Sequence, residues 1–382
     1  MNEWKKYRLG EILKIKYGKN HKHIDNGIIP IYGSGGIMRY GNQAITQGPS
    51  ILIPRKGSLH NILFSSTPFW TVDTMFWTII DTTIANPLFL YYAIHKKDFA
   101  SLNVGSAVPS LTVPIIENIE VLLPSLPIQN KIANVLKSLD DKTNINRRIN
   151  DNLEQQAQTL FDEWLSKAST YKGSFSDVID TTLAGDWGQE KLQGNYTHEV
   201  FCIRGADIPM LCNGDKGKMP IRYILEKNYI AKQLSANDLV VEISGGSPTQ
   251  STGRICMITQ SLLDRLGKDL VCTNFCRAIT PKSGFAIFIF LYWKMLYNKN
   301  TMFSYENGTT GIKNLNIADF ITKEKIDIPT IKDVNNLNDL LQPIYDQIYA
   351  TGLQNERLSS LRDTLLPKLM SGEISVEDVS ID

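Results

Sequence analysis

No stretch of this chain is apolar over the ~20 residues needed to cross a bilayer. Its opening, MNEWKKYRLGEILKIKYGK, also has no apolar core of a signal peptide, so a cytoplasmic protein without membrane contact is expected. Cysteine is scarce. The five, Cys202, Cys212, Cys256, Cys272 and Cys276, form an odd set confined to the second half, which fits reduced thiols better than a disulfide framework. Cys272 and Cys276 lack a second close pair with which to complete a zinc site. A surplus of one charge is missing too, with 40 Lys+Arg against 39 Asp+Glu.

Reaction centres are equally hard to find. There is no G-x-x-x-x-G-K-S/T loop, so the chain should not hydrolyse ATP by itself. Gly33-Ser34-Gly35-Gly36 is followed by Ile37-Met38-Arg39-Tyr40-Gly41, which does not open a helix as a dinucleotide loop must. Asn86-Pro87-Leu88-Phe89 is similar to the base-holding motif of amino-methyltransferases, yet leucine replaces its second proline and no cofactor loop lies upstream; it reads better as a helix start. The only Glu-x-Lys, Glu3-Trp4-Lys5, has no acidic strand before it, so a metal-dependent nuclease is not expected. His21 and His23 lack a third ligand, and no Ser or Cys stands in a nucleophile elbow. A binding and architectural role is what remains.

What the chain does have is a helical seam that occurs twice. Ile132, Val135, Leu139, Lys142, Asn146, Ile149, Leu153, Gln156 and Leu160 follow one another in steps of three and four, the spacing of a helix paired with another helix. Adding 205 gives a second series, Leu337, Leu340, Ile344, Gln347, Thr351, Gln354, Leu358, Leu361 and Leu365. Pro124 and Pro329 share the same offset, so the segment entering the helix is duplicated as well. Two copies of one unit favour a two-fold, antiparallel pairing in which the polar middles meet, around Lys142, Asn146, Thr351 and Gln354, and fix register. Pro343 is expected to kink the second helix or to start it near Gln342, and Gly372 to stop it.

The remaining sequence falls into two globular blocks. Residues 1–126, 127–170, 171–332, 333–372 and 373–382 are expected to be a first domain, a central helix, a second domain, a distal helix and a loose acidic tail. Positive charge sits in the blocks: residues 1–125 hold 12 Lys+Arg against 8 Asp+Glu, residues 171–332 hold 19 against 16, and residues 333–382 hold 3 against 9. Its direction suits blocks that meet a polyanion. Both blocks alternate short β-like runs, such as 28–32, 50–54 and 238–243, with loops rich in glycine, hydroxyls and amides. These loops are 33–36, 55–58, 105–110, 244–254 and 307–313, and such loops can approach phosphates and base edges closely. Helices are expected at 88–100 and 287–297.

Taken together, these segments resemble the specificity subunits of type I restriction-modification enzymes. Residues 122–136, LLPSLPIQNKIANVL, are similar to the entry of that family's central spacer helix, and residues 365–374, LLPKLMSGEI, to the end of its distal one. Ile31–Ile37, Arg55–Ser58, Pro68–Thr74 and Gly105–Leu111 are similar to its first target-recognition domain, and Cys202–Pro209 to some second domains. The resemblance implies an α+β fold with two target-recognition domains joined by two long antiparallel coiled-coil helices. It implies no catalysis in this chain, and recognition of a split, asymmetric DNA site. Two modification methyltransferase subunits and motor-nuclease subunits would bind S-adenosylmethionine, ATP and Mg, none of which this chain would hold. The residues expected to touch DNA are Ser34, Gly35, Gly36, Arg39, Arg55, Lys56, Ser58, Arg204, Ser244, Gly245, Thr249, Gln250, Thr252, Arg254 and Lys313, with a structural salt bridge as the alternative for Arg254. A coiled-coil adaptor that binds no DNA, and a fragment of a fused methyltransferase, are the competing functions.

Overall fold

Ser50–Pro54 forms the strand expected of it and is buried at all five positions, as a continuous apolar run requires when both faces of a sheet are covered. Around it the computed structural model describes residues 4–105, 107–247, 249–308 and 312–379; Ser106, Pro248 and residues 309–311, parts of three loops named above, lie outside the described residues. The chain divides into two units, Met1–Asp141 with Ser359–Asp382, and Lys142–Leu358.

The first unit contains β1 (Lys5–Arg8), β2 (Leu13–Tyr17), β3 (Asn26–Gly33), β4 (Gly36–Gly41), β5 (Ser50–Pro54), β6 (Leu63–Ser65), β7 (Trp70–Thr71), β8 (Met75–Ile80) and β9 (Glu120–Leu123). They form a sheet in the order β2-β8-β5-β6, a second in the order β4-β3-β7, and the pair β1-β9. Among the described residues of this unit only β3 and β7 are paired in parallel. The Asn86 side chain accepts hydrogen bonds from the backbone N–H groups of Leu88 and Phe89, so Asn-Pro-Leu-Phe is indeed a helix start, of Pro87–Ile94. That helix is shorter than expected. Its Phe89 and Leu90 join Leu9, Ile53, Phe76 and Phe99 in a core that also takes in Leu136 and Leu366 of the long helices.

The second unit contains β10 (Thr170–Gly173), β11 (Ile179–Ala184), β12 (Tyr196–Ile203), β13 (Ile221–Leu225), β14 (Leu239–Glu242), β15 (Ser244–Gly245), β16 (Ile255–Met257), β17 (Leu270–Cys272), β18 (Cys276–Pro281), β19 (Glu306–Asn307), β20 (Lys313–Leu315) and β21 (Ile326–Pro329). Its sheets run β11-β18-β14-β16 and β13-β12-β17, with β10 paired to β21. Here β12 and β17 are the parallel pair. The second unit therefore repeats the first strand for strand, adding a β15-β20-β19 ribbon, and its helix Ala286–Asn298 takes the place of Pro87–Ile94. Phe161, Phe175, Trp293 and Phe320 are fully buried at the centre of its core.

Two long helices thread these units, Leu126–Lys167 and Ile331–Ser371. Their starts differ by the 205 residues that relate the two seams. They pair antiparallel within each unit: Arg362 donates to Asp140 (2.7 Å) in the first, and Asn146 donates to Gln354 (2.7 Å) and Asn355 (2.8 Å) in the second. Tyr92 adds a hydrogen bond to Asp140 (2.6 Å), tying the Pro87–Ile94 helix to the first pair. The polar middle is thus real, although Asn146, Asn150 and Asn355 occupy it and Lys142 is exposed.

Seven of the eighteen expected seam positions need correction. Ile132, Leu139, Asn146, Leu153 and Leu160, and Leu337, Ile344, Thr351, Leu358 and Leu365, are buried or half-buried. Val135 is half-buried, while Lys142, Ile149, Gln156, Leu340, Gln347, Gln354 and Leu361 are exposed; the buried positions beside them are Leu136, Thr143, Asn150, Ala157, Leu341, Ile348 and Asn355, each one residue later. A heptad seam alternates steps of three and four, and with Val135 beside Leu136 and Leu340 beside Leu341, spacing does not say which step comes first. Pro343 neither starts nor interrupts its helix, since it and Asp339, whose carbonyl it frees, both face solvent. Pro367 is exposed and likewise tolerated, and Gly372 at φ +73° ends the helix. The tail is not loose over its described part, because Ile374, Val376 and Val379 pack on the first core and Glu377 pairs with Lys131.

The second block is also clamped to its helices. Asn150 donates to the carbonyls of Asn213 (2.9 Å) and Ile348 (3.0 Å), and Asn213 donates to Asp151 (2.7 Å). Arg265 bonds the Gly214 carbonyl (2.7 Å) and Glu356 (3.1 Å), and Lys216 pairs with Glu356. Backbone meets backbone at Gly214 and Gly352, where a Cβ on Gly352 would overlap the Gly214 carbonyl oxygen.

Candidate nucleic-acid interface

Each unit gathers its expected contact loops into one place, with the same backbone bonds. In the first, Val72 donates to the Tyr32 carbonyl (3.0 Å), Arg55 to Thr74 (2.8 Å), Leu111 to Arg55 (2.9 Å), Gly57 to Pro109 (3.0 Å) and Lys19 to Thr71 (2.9 Å). In the second, Thr273 donates to Ile203 (2.9 Å), Ile243 to Phe275 (2.9 Å), Leu315 to Ile243 (2.9 Å) and Asp186 to Cys272 (2.8 Å), while Gly245 faces Lys313 across a ribbon. Arg55-Lys56-Gly57 thus occupies the backbone place of Ile243-Ser244-Gly245, and residues 109–111 that of 313–315. One scaffold therefore presents two different sets of side chains.

In the first unit Asn61 donates to the Ser34 carbonyl (2.9 Å), joining the β3–β4 turn with Ser34, Gly35 and Gly36 to the 55–58 loop. Arg55 lies over the Tyr17 ring (5.4 Å) and spends one N–H on the Asp73 carbonyl (3.0 Å). Lys56 and Ser58 are exposed. Arg39 does not belong with this group, because its guanidinium holds the carbonyls of His21 (2.5 Å) and Ile24 (2.8 Å) and the His21 ring (3.3 Å). It shapes the 21–24 loop.

In the second unit most of the expected cations are committed to carboxylates. Arg254 makes a two-pronged pair with the buried Glu242 (2.8 and 2.6 Å), which is the structural salt bridge held as its alternative. Arg204 grips Asp207 (3.0 and 3.2 Å) and the Lys218 carbonyl (2.7 Å). Lys313 pairs with Glu306 (2.9 Å) and lies over Phe303. Thr252 is buried, its hydroxyl and N–H both on Glu306. Ser244 donates to Asn314 (2.6 Å), whereas Thr249 and Gln250 are exposed at the loop tip. The common cause is burial: a cation at the foot of a loop lies beside carboxylates the fold has desolvated, and pairing offsets that cost.

Arg204, Ser244 and Gly245 line a cavity of about 470 Å³ together with Trp187, Asn274 and Phe275. The last three went unread in the sequence. Their signal was positional: Trp187 follows a glycine, Gly185, whose backbone packs against Thr273, and Phe275 lies between the two cysteines that drew attention as a metal pair. Among the described residues no group of three or more His, Cys, Asp or Glu could hold a metal ion. Burial pushes the Cys202, Cys212 and Cys276 thiols up to about 12, away from the reactive thiolate. No helix among the described residues is long and apolar enough to cross a membrane.

Residues 1–155 match the family model described as the type I restriction modification DNA specificity domain. Over 352 residues, 86% of this chain and 78% of the relative, the sequence is 24% identical to the type I restriction enzyme MjaIX specificity subunit of Methanocaldococcus jannaschii. It is 22% identical over 375 residues, 80% of this chain and 81% of the relative, to the HindI specificity subunit of Haemophilus influenzae. The crystal structure of a type I restriction-modification S subunit from M. genitalium shares the fold, with a TM-score of 0.56 at 16% identity over 96% of each chain. Two repeated units on paired helices, with unlike loops on a common scaffold, fit these matches, so that along most of its length the chain is similar to type I restriction-modification specificity subunits.

Proposed function

We propose that this chain is the DNA-reading subunit of a type I restriction-modification complex, with each unit recognising one half of a split, asymmetric site. The observation that carries this is the doubled loop scaffold: matching backbone bonds present Arg55, Lys56 and Asp73 in one unit and Ile243, Ser244 and Asn274 in the other, so the two would read different sequences. Arg55, with guanidinium donors left over, suits a base edge, and Lys56 suits a phosphate. The long helices would set the gap between the half-sites and hold two modification subunits. Those subunits would bind S-adenosylmethionine, and motor-nuclease subunits ATP and Mg.

The test is to express the chain with its modification subunits in a host free of adenine methylation and to map the modified sites. A two-part motif with a fixed gap is expected, and inserting one or two helical turns between Asp140 and Arg148 should change the gap alone. A continuous motif, or methylation that does not depend on this chain, overturns the proposal. An adaptor without DNA binding predicts no salt-dependent gel shift even with the partners present.

A further inference from the structure

The cavity in the second unit holds more than contact with the edge of a duplex requires. About 470 Å³ lies within the range of sites that take small organic molecules, roughly 300–1,000 Å³, whereas a thymine methyl would leave it nearly empty. Its charged groups are already matched, Arg204 to Asp207 and Glu242 to Arg254, so it does not suit a phosphate. Gly205 and Gly245 line it and pack closely on Glu242, since a Cβ on Gly205 would overlap the Glu242 carboxylate and one on Gly245 would come within 2.9 Å of it.

Its walls are aromatic, and one is set in advance. The Arg222 guanidinium stacks 3.6 Å from the centre of the Trp187 ring, while Arg222 itself is only 6% exposed and faces Glu190 (3.4 Å). Trp187, 37% exposed, turns toward the cavity. Phe275, 60% exposed, lines it beside Asn274, an exposed amide with a donor and an acceptor and no side-chain hydrogen-bond partner among the described residues. At the matching backbone positions the first unit has Asn20, Asp73 and Thr74, which build no such walls.

We infer that this cavity receives one nucleobase turned out of the duplex, stacked on the Trp187 face with the Asn274 amide at its edge. The inference rests on the DNA-reading function proposed above. Stacking on an aromatic face accepts any base, and extrusion costs least where pairing is already broken. The second unit would then read its half-site partly by how easily one pair opens.

The experiment measures affinity of the full chain with its modification subunits for duplexes of the mapped site, with a single mismatch placed at each position in turn. One position in one half-site should bind several-fold more tightly when mismatched. Trp187→Ala should abolish that gain and Trp187→Phe should keep most of it. Should Trp187→Ala not fold, Phe275→Ala, at an exposed position, carries the same test. If every mismatch weakens binding, or if the gain survives both truncations, the cavity takes no base and only this inference falls. A complex that binds none of the duplexes refutes the DNA-reading function and this inference with it.

Discussion

Replacing Arg254 with alanine separates a structural cation from a DNA contact. Glu242 is 6% exposed and Arg254 24%, joined by two hydrogen bonds of 2.8 and 2.6 Å, so the substitution strands a carboxylate among Gly205, Gly245 and the sheet. Breaking a buried pair from one side costs about 3–5 kcal/mol, and because water reaches one edge of Arg254 a value discounted below that range, ~2–3 kcal/mol, is expected. At about 2–4 °C per kcal/mol for a unit of this size, thermal unfolding of the full chain followed by tryptophan fluorescence should shift down by ~5–10 °C. Glu242→Gln combined with Arg254→Met removes both charges and should recover most of the loss. The same proteins titrated onto the mapped site and onto scrambled DNA should lose affinity in parallel. An unchanged melting temperature together with loss of the mapped site alone would refute this account and make Arg254 a reader.

Arg55→Ala should weaken binding to the mapped site by roughly 1–3 kcal/mol while sparing scrambled DNA, and Lys56→Ala should weaken both and lower the salt slope by about one, as titrations at several salt concentrations would record. Gly352→Ala forces the Gly214 carbonyl away and should cost more than ~2 kcal/mol in chemical denaturation, whereas Gly35→Ala, with open space around it, should cost under ~0.5 kcal/mol. His198 stacks on Tyr229 and is held by Glu226 (2.8 Å) and Asp269 (2.7 Å); burial lowers its pKa, but these carboxylate bonds outweigh it, leaving the pKa above the ordinary 6.5. Its contribution is therefore complete below about pH 6.5 and lost as pH rises through the raised value, so stability should fall over that window in the native protein and stay flatter in His198→Gln. Unfolding midpoints measured across that pH range decide it.

The duplication was legible because it is written in spacing: Pro124 and Pro329, and the apolar residues at either end of both helices, keep one offset regardless of neighbours. The helix phase was not, since Val135 and Leu136 are equally apolar and only the partner helix decides which is buried. Strands such as Ser50–Pro54 declared themselves as short β-like runs broken by glycine-rich turns, and Asn86 by its place before a helix start. The cations misled for a physical reason. An arginine next to glycine looks the same in sequence whether it faces DNA or a desolvated carboxylate, and Glu242, Asp207 and Glu306 come to Arg254, Arg204 and Lys313 only through folding. Trp187 and Phe275 meet across 88 residues of chain, a closure that no local pattern encodes.

Gly372 ends the distal helix against the Trp4 indole, which packs in turn near Phe89, and β1 pairs with β9 just before the central helix begins. The chain thus returns to its own start within the first unit. The covalent order of the two halves is then a bookkeeping detail of where the backbone happens to be open. A circular permutant cut between Lys167 and Thr170, its old ends bridged by a flexible linker, would keep every strand pair and both helix pairings.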